Sequence, residues 1–190
     1  MLLSTWRNRH LIAQMTQREV LGRYKGSVMG LMWSFLHPLF MLATYTFVFS
    51  VVFKARWGVA EEESKAQFAI VLFVGMIMHS LMAEVLNKAP GLILANTQYV
   101  KKVVFPLEIL PITSMGGALF HCMVSLVVLL GAFLASNGFL HWTAIFIPLV
   151  IAPLILLTLG LAWLLASLGV YLRDISNTIG ILTTILLFVS

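Results

Sequence analysis

Charged residues are absent from the centre of this chain. Residues 109–172, a run of 64, contain no Asp, Glu, Lys or Arg. The helices of a water-soluble domain need a polar outer face, so a run of this length excludes that class of protein. A helix crosses a bilayer core of roughly 30 Å in about 20 residues. The run therefore suffices for two crossings, with Ser136-Asn137-Gly138 as the turn between them.

Several motifs and residue sets are missing from the sequence, and each absence excludes a kind of site. The single cysteine, Cys122, excludes a disulfide framework. The sequence contains no G-x-x-x-x-G-K-[ST] string, so it cannot hold nucleotide phosphates in the P-loop manner. Paired carboxylates, metal-ligand spacings and a Ser-His-Asp set are missing as well, and we predict no catalytic residue, metal site or cofactor in this chain. If the protein does work, the energy must come from a partner.

What is present is apolar. The composition is 61% hydrophobic and 10% charged, and the mean hydropathy is +1.00. The apolar runs predict an all-α polytopic membrane protein. The predicted spans lie at about residues 31–53, 68–86, 112–135 and 143–170, and a fifth begins near Ile175.

We divide the chain into a cytoplasmic interface segment, residues 1–30, and a transmembrane domain, residues 31–190, with a cytoplasmic loop at 87–111. The polar, basic start is not the layout of a cleavable signal peptide. Residues 175–190 would reach only about 24 Å as a helix, which is short of the bilayer core. We therefore expect the native chain to continue beyond Ser190.

The basic residues predict the orientation. Nine of the twelve basic residues lie on one side of the predicted spans. The other three lie on the opposite side, where the acidic residues 61–63 offset their charge. The nine are Arg7, Arg9, Arg18, Arg23, Lys25, Lys88, Lys101, Lys102 and Arg173. The N-terminus is therefore predicted to be cytoplasmic. The net charge of +5 then reflects this topology and contact with anionic lipid head groups, not nucleic acid.

An amphipathic helix is predicted around residues 5–18. Leu11, Ile12 and Met15 fall on one arc of such a helix. The opposite arc carries Arg7, Gln14, Gln17 and Arg18. This pattern is typical of a helix that lies in the membrane interface with its basic side toward the lipid head groups.

Small residues then recur at every fourth position, at Gly22, Gly26 and Gly30. If they share one helical face, they allow close approach of another helix in lipid. We predict that this face sets the angle between the surface helix and span one. The alternative is a flexible hinge between them. Trp33 follows at the level of the inner head groups, where an amphipathic ring is favoured.

The loop at 87–111 is unusually apolar for a connector. Pro106 disfavours helix at Phe105, and Pro111 suits the first turn of span three. Exposed Tyr99, Val103 and Phe105 on a short helix could fit a groove on a soluble partner. The alternative is an interfacial segment that rests on lipid.

The spans themselves carry little chemistry. Histidine is the only ionisable residue well inside a span, at His79 and His121, while Glu84 lies near the cytoplasmic end of span two. Ion-coupled carriers usually keep Asp, Glu or Lys at the midplane. A single membrane histidine is more often a hydrogen-bonded packing residue, and this is the interpretation we favour for both.

Three strings in this sequence resemble one family. They are Arg23-Tyr24-Lys25-Gly26-Ser27 with Gly30, Trp33 and Pro38, Lys101-Lys102-Val103-Val104-Phe105-Pro106 with Pro111, and Arg173-Asp174. Together they are similar to the permease subunit of ABC-2 type polysaccharide exporters, which move O-antigen, capsule or teichoic acid polymers. The resemblance extends over essentially all 190 residues in order.

The resemblance implies a homodimer in the bacterial inner membrane, bound to two copies of a separate ATPase that holds ATP and magnesium. It also implies a lipid-linked glycan as cargo. Members of this family have six spans, with short re-entrant helices before the last, and nothing in this sequence corresponds to those helices.

The resemblance and the loop together predict a contact with the ATPase. The predicted coupling residues are Tyr99, Lys101, Lys102, Val103, Phe105, Pro106, Glu108, Arg173 and Asp174. The predicted interface and gate residues are Arg23, Tyr24, Lys25, Gly26, Gly30 and Trp33. Residues 96–111, here named the coupling segment, are predicted to dock the ATPase.

Span one is predicted to help line a glycan path. On a helix, the residues that follow Pro38 on the same face, within roughly 80°, are Leu42, Tyr45, Phe49 and Phe53. Aromatic rings let sugars stack without strong binding, which suits a polymer that must slide. The alternative is ordinary helix packing or lipid contact.

Other functions stay open at this stage. An ion-coupled secondary carrier is disfavoured by the uncharged spans. A membrane-embedded lipid or sugar transferase needs loop carboxylates, often with a divalent metal, and the clustered acids here are only residues 61–63. An ABC-2 drug or lipid exporter permease is a closer alternative.

Overall fold

The computed structural model of the chain describes residues 6–48, 63–98, 105–139, 142–172 and 174–189. Within these ranges all regular secondary structure is helical. The α-helices are α1 (Arg9–Tyr24), α2 (Trp33–Phe47), α3 (Glu63–Lys88), α4 (Leu92–Ala95), α5 (Ile109–Asn137), α6 (Ile147–Tyr171) and α7 (Ile175–Val189). Three 3₁₀ turns lead into α2, α4 and α6, at Gly30–Met32, Ala89–Gly91 and Trp142–Phe146.

Three helical stretches in the described ranges are long and apolar enough to cross a bilayer. They are Ile70–Ala95, Ile109–Ala135 and Ala144–Tyr171, of 26, 27 and 28 residues. At 1.5 Å per residue each exceeds a core of roughly 30 Å. They coincide with the second, third and fourth predicted spans, and the prediction of an all-α polytopic membrane protein is confirmed. Helix α7 is apolar but has only 15 residues.

The first predicted span is described only in part. Helix α2 covers 15 residues, Trp33–Phe47. Phe49 and Phe53, two residues of the predicted glycan path, lie outside the described residues.

The packed core lies mainly between α3 and α5. Leu81 and Val85 of α3 are 1% and 0% exposed, and Met115 and Ala118 of α5 are 2% and 1% exposed. Ala162 of α6 packs into the same cluster. Several of these side chains are small, and small side chains let helix backbones approach closely in a membrane.

The opposite face of α6 is apolar and uncovered. Leu149, Leu156 and Leu157 are 70%, 71% and 59% exposed. Such a surface is unfavourable in water and suits lipid or another membrane helix.

Helix α6 meets the turn that follows α3 at one very close contact. A side chain at Gly169 would overlap the backbone of Pro90. Ala89 and Pro90 are buried, as is Ala166 one turn before Gly169. Glycine is therefore required at this crossing because backbone meets backbone there.

Helix α1 packs along α5 instead of lying on the membrane surface alone. Thr16 faces Gly116, and Glu19 faces Gly117. The predicted apolar arc of Leu11, Ile12 and Met15 is half-buried. The predicted polar arc, formed by Arg7, Gln14, Gln17 and Arg18, is exposed. Contact of that arc with lipid head groups stays a prediction.

The expectation that Gly22, Gly26 and Gly30 share one helical face is wrong. Helix α1 ends at Tyr24, and Gly26 and Gly30 have φ angles of 89° and 52°. These left-handed conformations break the helix, since only glycine adopts them readily. A Cβ at any of the three would meet no atom within 4 Å in the described structure. The alternative, a hinge between α1 and α2, matches the geometry.

Candidate functional site

A cluster of charged and polar side chains joins α1 to α3 and α5. We name it the Glu84 cluster; its members are Glu19, Arg23, Tyr24, Glu84, Lys88 and His121. Glu84 Oε1 accepts hydrogen bonds from Arg23 Nη1 at 2.7 Å and from Lys88 Nζ at 2.9 Å. Lys88 Nζ also donates to Glu19 Oε1 at 2.9 Å. Helix α1 is thus tied to α3 by two ion pairs, Arg23–Glu84 and Glu19–Lys88.

His121 lies at the α5 side of the cluster. Its Nδ1 atom is 3.1 Å from Arg23 Nη1, and its Nε2 atom is 3.1 Å from the Tyr24 hydroxyl. A guanidinium can only donate, so Nδ1 accepts from Arg23. The ring is then neutral, and Nε2 carries the proton that it donates to Tyr24. Glu84 Oε2 lies 3.4 Å from Nδ1 and is the acceptor that a protonated ring would use instead.

Tyr24 keeps its proton in this environment. Partial burial and the nearby Glu84 carboxylate raise the pKa of its phenol, against the opposing effect of Arg23. A neutral hydroxyl both accepts from and donates to a neighbour. The Tyr24 hydroxyl can therefore accept the hydrogen bond that His121 Nε2 donates.

The Glu84 cluster is only partly buried by the described part of the chain. The side chains of Arg23, Lys88 and Glu84 are 53%, 38% and 18% exposed. Ion pairs at this exposure contribute about 1 kcal/mol or less each, and salt screens them. The cluster therefore holds α1 in place with contacts that water can replace.

A cavity of about 920 Å³ begins at this cluster and extends between α2, α3 and α5. Its polar wall includes Ser27, Ser34, His37, His79, Ser80, Asn87 and Ser125. Its aromatic and apolar wall includes Trp33, Pro38, Met41, Tyr45, Phe73 and Met76. Rings beside hydroxyl, amide and imidazole groups give a surface on which a sugar can both stack and form hydrogen bonds.

The structure separates the predicted path residues. Tyr45 and Pro38 line the cavity. Leu42 does not: it is 9% exposed and belongs to the apolar core. Leu42 is buried because α2 packs closely on α5. The position of a residue on one face of α2 does not reveal which neighbouring helix that face meets.

The predicted interface and gate residues take three different positions. Arg23 and Tyr24 belong to the Glu84 cluster. Lys25 and Gly26 lie in the exposed turn after α1. Trp33 begins α2 and lines the cavity, and Gly30 begins the 3₁₀ turn before it.

The predicted coupling residues are described only in part. The positions outside the described residues are Tyr99, Lys101, Lys102, Val103 and Arg173. Phe105 and Pro106 are half-buried, so Phe105 is less exposed than expected. Glu108 and Asp174 are exposed, and the Glu108 carbonyl accepts a hydrogen bond from Trp163 Nε1 at 3.0 Å. Pro111 lies in the first turn of α5, as predicted.

His79 has the packing role expected of a single membrane histidine. Its Nε2 atom lies 2.9 Å from the carbonyl oxygen of Thr183 on α7. The Thr183 hydroxyl donates to the Asn87 side chain at 3.2 Å. These bonds attach α7 to α3. His121 differs, because its partners are the charged and polar groups of the Glu84 cluster.

The local sequence pattern assigns no site role to Glu19, Glu84, Lys88 or His121. A usable signal was present in Glu84 and Lys88, which lie four residues apart on one helix and so form an ion pair. Within the described ranges, no group of three or more His, Cys, Asp or Glu side chains could hold a metal ion.

Long apolar helices around a polar, ring-lined cavity define this chain as a polytopic membrane protein with an internal cavity. Residues 10–190 match the family described as ABC-2 type transporter, and the chain belongs to that family. The resemblance inferred from the three strings is thereby confirmed.

Relatives with the name O-antigen export system permease protein RfbA are similar to this chain. One from Myxococcus xanthus is 27% identical over 180 residues, which cover 95% of this chain and 66% of the relative. Two from Klebsiella pneumoniae are 24% and 26% identical over 173 and 176 residues, which cover 90% of this chain and 63% of each relative. The chain thus spans just under two thirds of the length of these curated relatives.

Proposed function

We propose that this chain is the membrane permease subunit of an ATP-driven exporter of lipid-linked polysaccharide of the O-antigen type. The observation that carries the proposal is the match of residues 10–190 to the ABC-2 transporter family, together with relatives that are O-antigen export permeases. The cargo moves from the cytoplasm outward across the bacterial inner membrane.

The cavity supports a glycan as cargo. It has room for sugar rings, and its walls combine aromatic side chains such as Trp33 and Tyr45 with hydrogen-bonding groups such as His37 and Ser34. Few charges face it beyond the Glu84 cluster, which suits a polymer that must pass without tight binding.

A separate ATPase supplies the energy, because this sequence has no P-loop string. Two copies of the ATPase bind a pair of permease chains on the cytoplasmic side, where the excess of basic residues predicts the N-terminus to lie. ATP and magnesium bind to the ATPase and not to this chain. The uncovered apolar face of α6 is available to lipid or to the second permease chain.

The coupling segment carries the contact with the ATPase. Replacing Tyr99 and Phe105 together by Ala should remove the two aromatic anchors and weaken co-purification of the ATPase. Membrane insertion should be unaffected, because both residues belong to the loop between the second and third predicted spans. Normal recovery of the complex with normal export would contradict this assignment.

Reconstituted transport tests the proposed function. The full-length permease and its ATPase are placed in proteoliposomes that carry lipid-linked O-antigen in the accessible leaflet. We expect ATP-dependent movement of the glycan to the side where an added glycosidase cannot reach it. The same vesicles with an ATPase that lacks its P-loop lysine are the control. Transport without ATP, or efflux of small drugs with no movement of glycan, would overturn the proposal.

A further inference from the structure

Helix α1 is attached to the rest of the protein through apolar side chains along its length and through polar side chains at its C-terminal end. Val20 is buried, and Leu11, Ile12 and Met15 are half-buried. The polar contacts include the ion pairs of Glu19 and Arg23 and the Tyr24–His121 bond. The Glu84 cluster therefore fixes the end of α1 that leads into the turn before α2.

The segment after α1 is built to bend. Lys25, Gly26, Ser27 and Val28 are all exposed, and Val28 has no cover from the described part of the chain. Gly26 and Gly30 adopt positive φ angles that other residues rarely reach. A change of angle between α1 and α2 would therefore break no packed contact within this turn.

The end of α1 also forms part of the cavity wall. Arg23, Tyr24 and Ser27 line the cavity from the α1 side. Cys122, one residue after His121 on α5, lines the same cavity and is buried. If α1 moves away from α3 and α5, this wall opens, and we expect water to reach Cys122 through the cavity, although the residue also packs in the core.

We infer that α1 is a hinged strap over the cavity and that the Glu84 cluster is its latch. In the closed state Glu84 and Lys88 hold Arg23 and Glu19, and the strap covers the cavity. When the strap bends at Gly26 and Gly30, the ion pairs separate into water and the cavity opens to a glycan. Entry of a glycan into the opened cavity rests on the proposed function, whereas the latch contacts do not.

The native thiol of Cys122 reports the state of the strap. The assembled permease–ATPase complex in lipid nanodiscs, without ATP or glycan, is treated with a charged water-soluble thiol reagent. Glu84→Gln and Arg23→Gln remove latch contacts. Arg7→Gln is the matched control, because it removes the same charge from the same segment of chain at an exposed position outside the cluster. Cys122→Ser shows that the label is specific.

We expect both latch variants to label about fivefold faster than the wild type and Arg7→Gln, the effect of losing a half-exposed ion pair. High salt should speed labelling of the wild type more than of the variants. Equal rates in all folded complexes would overturn the latch. Should Glu84→Gln fail to fold, Arg23→Gln decides the question, because the Arg23 side chain is 53% exposed and its loss leaves the core intact.

Adding ATP and lipid-linked glycan separates this inference from the proposed function. With transport in progress, labelling of wild-type Cys122 should rise. Transport without any rise would show that the strap does not open in the cycle and would overturn the inference. Faster labelling of the latch variants with no glycan transport by the wild type would uphold the latch and overturn the proposed function.

Discussion

Helices α1 and α6 are both held by a glycine contact, but the two contacts differ in kind. At Gly169 of α6 a side chain would overlap the backbone of Pro90, and the residues around this crossing are buried. At Gly116 a side chain would meet side-chain atoms of Thr16 and not backbone, and the surrounding bonds are half-exposed ion pairs. The first contact cannot open without leaving a void, whereas water can replace the second. We call the contact of Gly169 with Pro90 the fixed crossing and the contact of Gly116 with Thr16 the reversible crossing. A membrane bundle can therefore combine the two kinds of contact.

The largest loss of stability is expected where the fixed crossing at Gly169 is broken. Gly169→Ala should destabilise the folded protein by about 3 kcal/mol, because the added methyl group must displace the backbone of Pro90. Gly160→Ala in the same helix is the control, since a Cβ there meets nothing within 4 Å in the described part of the chain. Unfolding of both variants in the same detergent measures the difference. Equal stability would show that α6 is not fixed at this point.

A smaller effect should follow loss of a latch contact. Glu84→Gln removes the carboxylate that Arg23 and Lys88 share, and we expect a loss of about 1–2 kcal/mol. Hydrogen exchange should speed up in α1 and remain slow in α6. A double-mutant cycle with Arg23→Gln should give a coupling energy of about 1 kcal/mol. Purely additive effects would mean that these two side chains do not act together.

A larger residue at Gly116, on the reversible crossing, should be tolerated if the Thr16 side chain is shortened as well. Gly116→Ala should cost about 1 kcal/mol, because its methyl group would lie 2.7 Å from the Thr16 side chain. Thr16→Ala in the same protein should restore most of that loss. Thermal unfolding of the two single variants and the double variant checks this. If Thr16→Ala gives no rescue, α1 is not seated on Gly116 as described.

The hinge should show the smallest effects. Gly26→Ala should cost about 1 kcal/mol through backbone strain alone, since its φ angle is 89° and its surroundings are open. Gly22→Ala should be neutral or stabilising by up to about 1 kcal/mol, because Gly22 lies inside α1. Circular dichroism during thermal unfolding can resolve the opposite signs. A loss of the same size at both positions would favour the packed glycine face that the spacing predicts.

The sequence predicted the spans well because span length and charge exclusion are local properties. The uncharged run from 109 to 172 gave α5 and α6, and the turn at Gly138 ends α5 with a φ angle of 73°. The three strings, taken together in their order and spacing, led to the correct family.

The spacing of Gly22, Gly26 and Gly30 led to a wrong prediction, because residues four apart share a helical face only while the helix continues. Nothing in the local pattern fixes the end of α1 at Tyr24. The close glycine contacts lie instead at Gly116 and Gly169, whose partners are Thr16 and Pro90. Such partners are far away in the sequence, so spacing within one helix cannot reveal them.

The Glu84 cluster escaped prediction for the same reason. Arg23 is 61 residues from Glu84 and 98 residues from His121. Each of these residues alone has an ordinary explanation: a basic residue before a span, an acid near a span end, and a packing histidine. Only the fold of α1 against α3 and α5 brings them into one site.

A reversible lock on α1 tests most directly the claim that the strap opens during transport. In a Cys122→Ser background, Thr16→Cys and Gly116→Cys place two thiols across the crossing, where the Thr16 Cβ lies 3.3 Å from the Cβ position at Gly116. That separation is close to the disulfide range of about 3.5–4.5 Å. We predict that oxidation stops ATP-dependent glycan transport in proteoliposomes, that reduction restores it, and that neither single cysteine responds. Transport at the unlocked rate with the disulfide fully formed would contradict the account.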